Sequence, residues 1–327
     1  MQNQKIDTNI LSQLLSEQTQ EFIIFPTEKC NFRCTYCYED YSIGRMSDKT
    51  ISGVKALIKR RASELNKLHI SWFGGEPLNA KDIVLDISNY ALELTRIYPN
   101  LTYHSSMTTN GFNLTPTTLS DLVSVGVTDY QVTLDGHKEL HDRTRVLSSG
   151  KGTFKRIWEN LLQIRDSAEP ITITLRIHFD AETLTTIDPI IEDIKREFLN
   201  DKRFSVHFKT IDRLGGPNDD KIKVLSLNEQ KLALKSLKFK LYGKDYVEPE
   251  ESPYICYASR PNSLTIRADG SVGKCTVALT NPRNNIGMLQ PNGTLELNKE
   301  RLAYWLRGFS NLDLKTLSCP LISSSII

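Results

Sequence analysis

This chain of 327 residues is poor in the features that make a sequence easy to classify, with six cysteines, four methionines and three tryptophans. It lacks any window of about 18 apolar residues, which excludes a helical membrane span. Its first stretch, MQNQKIDTNILSQLLSEQTQ, has no basic start followed by an apolar run, which argues against a secretory signal peptide. An excess of either charge is also missing. Forty-one basic residues stand against 39 acidic ones, for a net charge of +2. Neither sign forms a long block, so no nucleic-acid arm and no polybasic membrane patch is expected. There is no internal repeat at solenoid periods, no GxSxG elbow, no P-loop and no H-E-x2-H. The histidines, His69, His104, His137, His141, His178 and His207, are scattered. His137 and His141 are spaced to share a helix face, yet a third metal ligand is not evident. The expected compartment is the cytoplasm, where clustered cysteines bind metal or react more often than they pair.

At 39% hydrophobic and 24% charged, the chain is globular and long enough for one sizeable domain with a smaller appendage. Short β-rich runs recur: EFIIFP, LHISWFG, LTYHSSMTT, DYQVTLDG, ITITLRIHF and FSVHFKTI. Between them, segments such as DIVLDISNYALELTRIY and FKRIWENLLQIRD space apolar residues three and four apart. The alternation predicts an α/β fold of six βα units around a parallel sheet, either open and doubly wound or a partial barrel. In both, sites gather at the carboxyl ends of the strands. After about residue 240 the rhythm stops at YGKDYVEPEESPYIC, which reads as a connector, so residues 1–240 form the first domain and 241–327 the second. In the second, SLTIRADGSVGKCTVAL brackets the turn signal Asp269-Gly270 and predicts a hairpin.

Half of the cysteines fall in EKCNFRCTYCYED. Cys30, Cys34 and Cys37 follow the first strand with the spacing C-x3-C-x2-C. A structural zinc site usually takes four ligands, and no fourth Cys or His lies nearby. Three thiolates on a tight loop suit a [4Fe-4S] cluster with one open iron; zinc and three unrelated buried thiols are the alternatives.

CNFRCTYCY, with Tyr36 before the third cysteine, resembles the cluster loop of radical S-adenosylmethionine (radical SAM) enzymes. The resemblance implies a partial (β/α)6 TIM-like barrel. It implies that the open iron chelates S-adenosylmethionine, whose reductive cleavage yields a 5′-deoxyadenosyl radical that abstracts a substrate hydrogen, the cofactor carrying the hard chemistry. An electron donor of the flavodoxin or ferredoxin type is implied as well. SWFGGEP supplies Gly74, Gly75, Glu76 and Pro77. Two glycines allow close backbone approach, and the carboxylate beside them accepts hydrogen bonds from a cationic amine. In the family this turn binds the methionyl amino group. TTNG with Thr109 and Asn110, VTLDG with Thr133 followed by HDRTR, and LRIHF with Arg176 resemble the family's ribose and carboxylate contacts, Thr133 standing where serine is commoner.

The segment from Cys256 resembles the SPASM or twitch extension of peptide-modifying members, with Gly270 and Cys275 supplying its G-x4-C. The extension's later cysteine block would start at Cys319, but Ile322 stands where its second cysteine belongs and the chain ends before the others. Cys256, Cys275 and Cys319 therefore hold at most one auxiliary iron-sulfur cluster, or are structural thiols. In sulfatase-maturating relatives an Asp after the G-x4-C cysteine is the base; here that position is Thr276, so no catalytic residue is assigned. The expected function is crosslinking, by a C–C or C–heteroatom bond, of a ribosomally made precursor peptide. Oxidation or epimerisation of a protein or peptide residue is the alternative enzyme reading, and a non-catalytic iron-sulfur protein the alternative from another class.

Overall fold

A computed structural model describes residues 6–244, 246–247 and 253–321. The strands are β1 (Thr19–Ile24), β2 (Phe32–Cys34), β3 (Lys67–Trp72), β4 (Thr102–Thr109), β5 (Val127–Leu134) and β6 (Arg145–Leu147). They continue with β7 (Thr172–Phe179), β8 (Phe204–Thr210), β9 (Ser263–Ile266), β10 (Ser271–Gly273), β11 (Gly287–Leu289) and β12 (Leu295–Leu297). The architecture is mixed α/β with a parallel sheet, and each of the six expected β-rich runs forms a strand.

The chain separates into two compact units. The first comprises Met1–Lys29, Ile43–Ser105 and Pro249–Ile327 over their described residues. Here β1 pairs in parallel with β3, Phe22 opposite Ile70, and on its other edge in parallel with β9, Phe22 opposite Leu264. Then β9, β10, β11 and β12 continue as an antiparallel meander, with Val272 opposite Ile266 across the expected Asp269-Gly270 turn. Strand β1 is central, so Phe22, Ile23 and Ile24 are buried, as all-apolar runs demand when both faces are covered. The helix Lys81–Ile97 buries Ile83, Val84, Ile87, Ala91 and Leu94 along one stripe. The helix Asp48–Ala62 begins at Ser47, whose hydroxyl accepts from Thr50 N at 3.2 Å.

The second unit comprises Cys30–Ser42 and Ser106–Glu248. In it β5, β7 and β8 run parallel, with Thr133 opposite Arg176 and Arg176 opposite His207. The helix Phe154–Arg165 buries Phe154, Ile157, Leu161 and Ile164. The helix Leu227–Tyr242 opens with a capping box between Ser226 and Glu229. The boundary expected at 240/241 falls in the last turn of that helix, and the connector after it lies partly outside the described residues, as does Ile322.

Candidate functional site

The cysteine loop is not a plain strand-to-helix loop. Phe32–Cys34 forms β2 and pairs antiparallel with β6, which sets Cys34 opposite Arg145. The Arg145 guanidinium lies 5.7 Å from the Phe32 ring and donates from Nη1 to the Tyr36 hydroxyl at 2.7 Å. That hydroxyl donates in turn to Asp135 Oδ1 at 2.8 Å and stands 3.0 Å from His178 Nδ1. Thr144 Oγ1 donates to Asp135 Oδ2 at 2.8 Å, and Asp135 N donates to His141 Nδ1 at 3.2 Å. A buried network from the ends of β5, β6 and β7 therefore grips the side chain between Cys34 and Cys37.

Burial tends to raise the Asp135 carboxyl, but the His178 hydrogen bond and the Arg145 charge outweigh it and hold the group below the usual carboxylate range. Burial holds His178 and His141 down at about 4, so both imidazoles are neutral. It pushes the Cys34 thiol up to about 11 and raises Cys37. Unliganded, these thiols are protonated, and a bound metal would reverse that.

The rest of the loop is anchored by polar and backbone contacts. Asn110 Nδ2 donates to Asn31 Oδ1 at 2.8 Å and approaches Cys30 Sγ at 4.0 Å. Phe32 N donates to Cys30 Sγ at 3.3 Å. Gly216 lies so close that a Cβ there would meet the Cys37 carbonyl oxygen at 2.1 Å, and Asn218 Nδ2 donates to Thr35 O at 3.1 Å. The Tyr41 phenol is raised by burial first and then by Cys37, Cys30 and Cys34.

In the first unit, Gly74 and Gly75 run against the end of β1. A Cβ on Gly74 would meet Thr27 O at 2.3 Å, and one on Gly75 would meet Glu28 O at 2.6 Å. Gly74 also has φ of +116°, which favours glycine. Glu76 is fully buried, and its Oε1 accepts from Leu78 N at 3.0 Å. Glu28, two residues before Cys30, is buried and pairs through both carboxylate oxygens with Arg267 on the turn after β9.

The same unit brings the other three cysteines together. Cys256 N donates to Leu317 O at 2.9 Å, which fastens the Cys319 tail to the connector's end. Cys275 N donates to Asn284 Oδ1 at 2.9 Å, while Asn284 Nδ2 returns a bond to Cys275 O at 2.8 Å. Burial raises the Cys256 and Cys275 thiols, and both also feel the Cys319 thiol. Thr276 Oγ1 is 2.7 Å from the Tyr257 hydroxyl. Lys274, fully buried, donates from Nζ to the carbonyls of Arg260 and Ser263.

Among the described residues no group of three Cys, His, Asp or Glu side chains stands at the geometry of a single metal ion. A four-iron cluster places its thiolates on different irons, farther apart than the ligands of one ion, and the donor sets fit it in chemistry. Each trio is all sulfur, and N–H groups already point at Cys30 Sγ and, from Val277 at 3.4 Å, at Cys275 Sγ. Arg176, whose guanidinium is lowered by burial, keeps its buried Nε without a hydrogen-bond partner, as an awaited anionic group would require.

Sequence reasoning placed Thr109, Asn110, Thr133 and Arg176 at strand ends, and all four are in the second unit with the cysteine loop. It did not assign Asp135, Arg145, His178 or Gly216. The first three lay within VTLDG, HDRTR and LRIHF, where a buried charge at a strand end was the available signal. The resemblance also counts Tyr36 among the cofactor-binding residues; its hydroxyl is committed to the loop's own scaffold.

The sequence profile of the Radical SAM superfamily matches residues 24–194, more than half of the chain. The chain is 25% identical over 167 residues to a PqqA peptide cyclase of Rhizobium meliloti (strain 1021), a match spanning 51% of this chain and 41% of that protein. It is 24% identical over 327 residues to a cysteine-type anaerobic sulfatase-maturating enzyme of Clostridium novyi (strain NT), covering 90% of this chain and 83% of that one. Its fold is similar to that of native anSMEcpe with bound AdoMet and Cp18Cys peptide, with a TM-score of 0.67 at 20% identity over 89% of this chain and 82% of the other.

Proposed function

Because the chain belongs to the radical S-adenosylmethionine superfamily, and so is an enzyme that uses S-adenosylmethionine and a [4Fe-4S] cluster, we propose that it is a peptide maturase. In this reading it closes a crosslink, by a C–C or C–heteroatom bond, between residues of a ribosomally made precursor peptide. The observation that carries it is the anchored C-x3-C-x2-C loop, its β2 paired with β6 and its Tyr36 hydroxyl held by Asp135, Arg145 and His178, in a chain similar to a peptide cyclase. Residues 1–240 are read as a partial (β/α)6 barrel and 241–327 as a SPASM/twitch-like extension, in a cytoplasmic enzyme served by a flavodoxin or ferredoxin. Among the described residues no helix is long and apolar enough to cross a membrane.

When bound, the cluster and S-adenosylmethionine supply one-electron bond cleavage and hydrogen abstraction. The chain's residues supply position. Cys30, Cys34 and Cys37 are the cluster's ligands, held by β6 and by the Tyr36 network. Gly74 and Gly75 admit the cofactor's amino group to the backbone, and the turn is kept in shape by the Glu76 bond to Leu78 N. Arg176 offers its unpartnered Nε to a carboxylate, beside Thr133 on the neighbouring strand. Cys256, Cys275 and Cys319 are read as ligands of one auxiliary cluster.

The second reading, oxidation or epimerisation, is favoured by the match to a sulfatase-maturating enzyme over 90% of the chain. Against sulfatase-type oxidation stands Thr276, whose hydroxyl is engaged with Tyr257 and which has no carboxylate to take a proton.

The test is anaerobic incubation with reductant, S-adenosylmethionine and a short precursor peptide encoded beside this gene. A crosslinked product is lighter than its precursor by one pair of hydrogens; an epimerised one has unchanged mass. Replacing Cys30, Cys34 and Cys37 together by Ala should remove about four irons per chain and abolish 5′-deoxyadenosine formation. Cofactor cleavage persisting in that variant would end the reading.

A further inference from the structure

Strand pairing holds β1 only as far as its end. Ile24 is the last residue set opposite both β3 and β9, and Phe25 N still donates to Ile266 O at 2.9 Å. Beyond that point the chain leaves the sheet, and residues 27–29 become the wall on which the glycine turn rests. Gly75 N donates to Thr27 O at 3.3 Å and Glu76 N to Lys29 O at 3.2 Å. Both bonds are longer than the usual length of about 2.9 Å, so the turn depends on the wall being kept in place. The packing leaves it no room to move inward, because a Cβ on Gly75 would meet Glu28 O at 2.6 Å and Lys29 O at 2.7 Å.

The Glu28 side chain ties this wall to the C-terminal part of the same unit. Arg267 donates from Nε to Oε1 at 3.0 Å and from Nη2 to Oε2 at 2.5 Å, a two-pronged fork. Arg267 is itself set at the mouth of the β9–β10 hairpin. Its N donates to Ser271 O and its O accepts from Gly270 N, each at 2.9 Å, while Nη1 donates to Leu279 O at 3.2 Å. The Glu28 side chain is 3% exposed and that of Arg267 19%. Withdrawing two charges from water is costly, and apolar side chains would hold the two segments together at less cost. What the fork adds is direction: two parallel bonds fix where the carboxylate lies, and with it the backbone at Glu28.

We propose that Arg267 is a positioning residue for the glycine turn: through the Glu28 carboxylate it holds residues 27–29 where their carbonyls accept the Gly75 and Glu76 amides. Its bearing on the reaction rests on the assignment of that turn to the amino group of S-adenosylmethionine. Without the fork the wall drifts, the two long bonds weaken, and Glu76 is no longer presented where the amine arrives.

The experiment uses the full, cluster-loaded chain and the variants Glu28→Gln, Arg267→Lys and Glu28→Gln/Arg267→Met. Isothermal titration gives the affinity for S-adenosylmethionine, mass spectrometry of the fragment 73–80 gives amide exchange, and urea unfolding gives stability. Glu28→Gln breaks the fork and leaves the guanidinium uncompensated, so affinity should fall about tenfold and exchange in the fragment should quicken. The double variant removes both charges, so its urea midpoint should return towards wild type while its affinity stays low and its exchange fast. Arg267→Lys keeps the ion pair and loses the fork, and should lie between wild type and Glu28→Gln. Wild-type affinity and exchange in both Arg267→Lys and the double variant would overturn the proposal and leave the pair a stabilising contact. The assignment of the turn fails separately: if Glu76→Gln and all three variants bind S-adenosylmethionine as wild type does, the turn is not the amine site, and exchange in the fragment still decides whether Arg267 positions it.

Discussion

Two buried side chains show how one residue can serve the fold and the chemistry at once. Glu76 caps its own turn through Leu78 N and is the acidic member of the glycine turn assigned to the cofactor's amine. Gln keeps a carbonyl oxygen for Leu78 N and loses only the charge. Glu76→Gln should therefore weaken S-adenosylmethionine binding by about 1 to 3 kcal/mol, roughly 5- to 150-fold, with unfolding little changed. Isothermal titration of the cluster-loaded variant checks this, and an unchanged dissociation constant removes Glu76 from the site. His141 is the second case. Burial holds it at about 4 against the ordinary 6.5, so between those pH values the unfolded chain binds the extra proton. Its contribution to stability is thus full above pH 6.5 and lost as pH falls towards 4, on the order of 3 kcal/mol. Urea unfolding at about pH 7.5 and about pH 4.5 should show this acid sensitivity partly relieved in His141→Asn, which retains an acceptor for Asp135 N. The slope that remains belongs to His178 and to the carboxylates.

At the scale of elements, the cysteine loop is a short strand clamped by its neighbours. The β2–β6 ladder fixes the backbone at Cys34, the Tyr36 network fixes the span to Cys37, and Asn110 fixes Asn31. The stretch after β8 closes the arrangement, because Gly216 can touch the Cys37 carbonyl only without a side chain. Gly216→Ala should push this stretch off the loop at a cost of about 1 to 3 kcal/mol, typical of overpacking. The visible effect should be faster loss of iron from the reconstituted enzyme and faster thiol labelling of the iron-free chain at Cys37. Iron retention and labelling equal to wild type would show that the contact constrains nothing.

The whole molecule holds two sulfur trios, each assembled differently. Cys30, Cys34 and Cys37 are local in sequence. Cys256, Cys275 and Cys319 meet because the Cys319 tail bonds back to Cys256 N through Leu317 and the β9–β10 hairpin delivers Cys275. If the second trio holds a cluster, the anaerobically reconstituted enzyme should contain about eight irons, and the Cys30/Cys34/Cys37 triple variant about four. Replacing Cys256, Cys275 and Cys319 by Ala should also leave about four, with 5′-deoxyadenosine formation retained. A Cys30/Cys34/Cys37 variant free of iron would make the second trio structural.

The sequence by itself determined what is local. Alternation of β-rich runs with helical stripes is written in the spacing of apolar residues, so the six strands and the parallel sheet were legible. The Asp269-Gly270 hairpin, C-x3-C-x2-C and the glycine turn were legible for the same reason: each is fixed by residues within one or two turns of chain. Tertiary structure decided what depends on residues far apart meeting in space. Tyr36 reaches Asp135, Arg145 and His178 across more than a hundred residues in two cases, and Glu28 finds Arg267 over a separation of 239. Burial then turns those meetings into chemistry: the same carboxylate, imidazole and thiol side chains shift their proton affinities only when the fold removes water and supplies a partner. The extension of the β1 sheet by β9, and the register that sets Cys34 opposite Arg145, likewise come from long-range strand pairing, which has no signature in either strand alone.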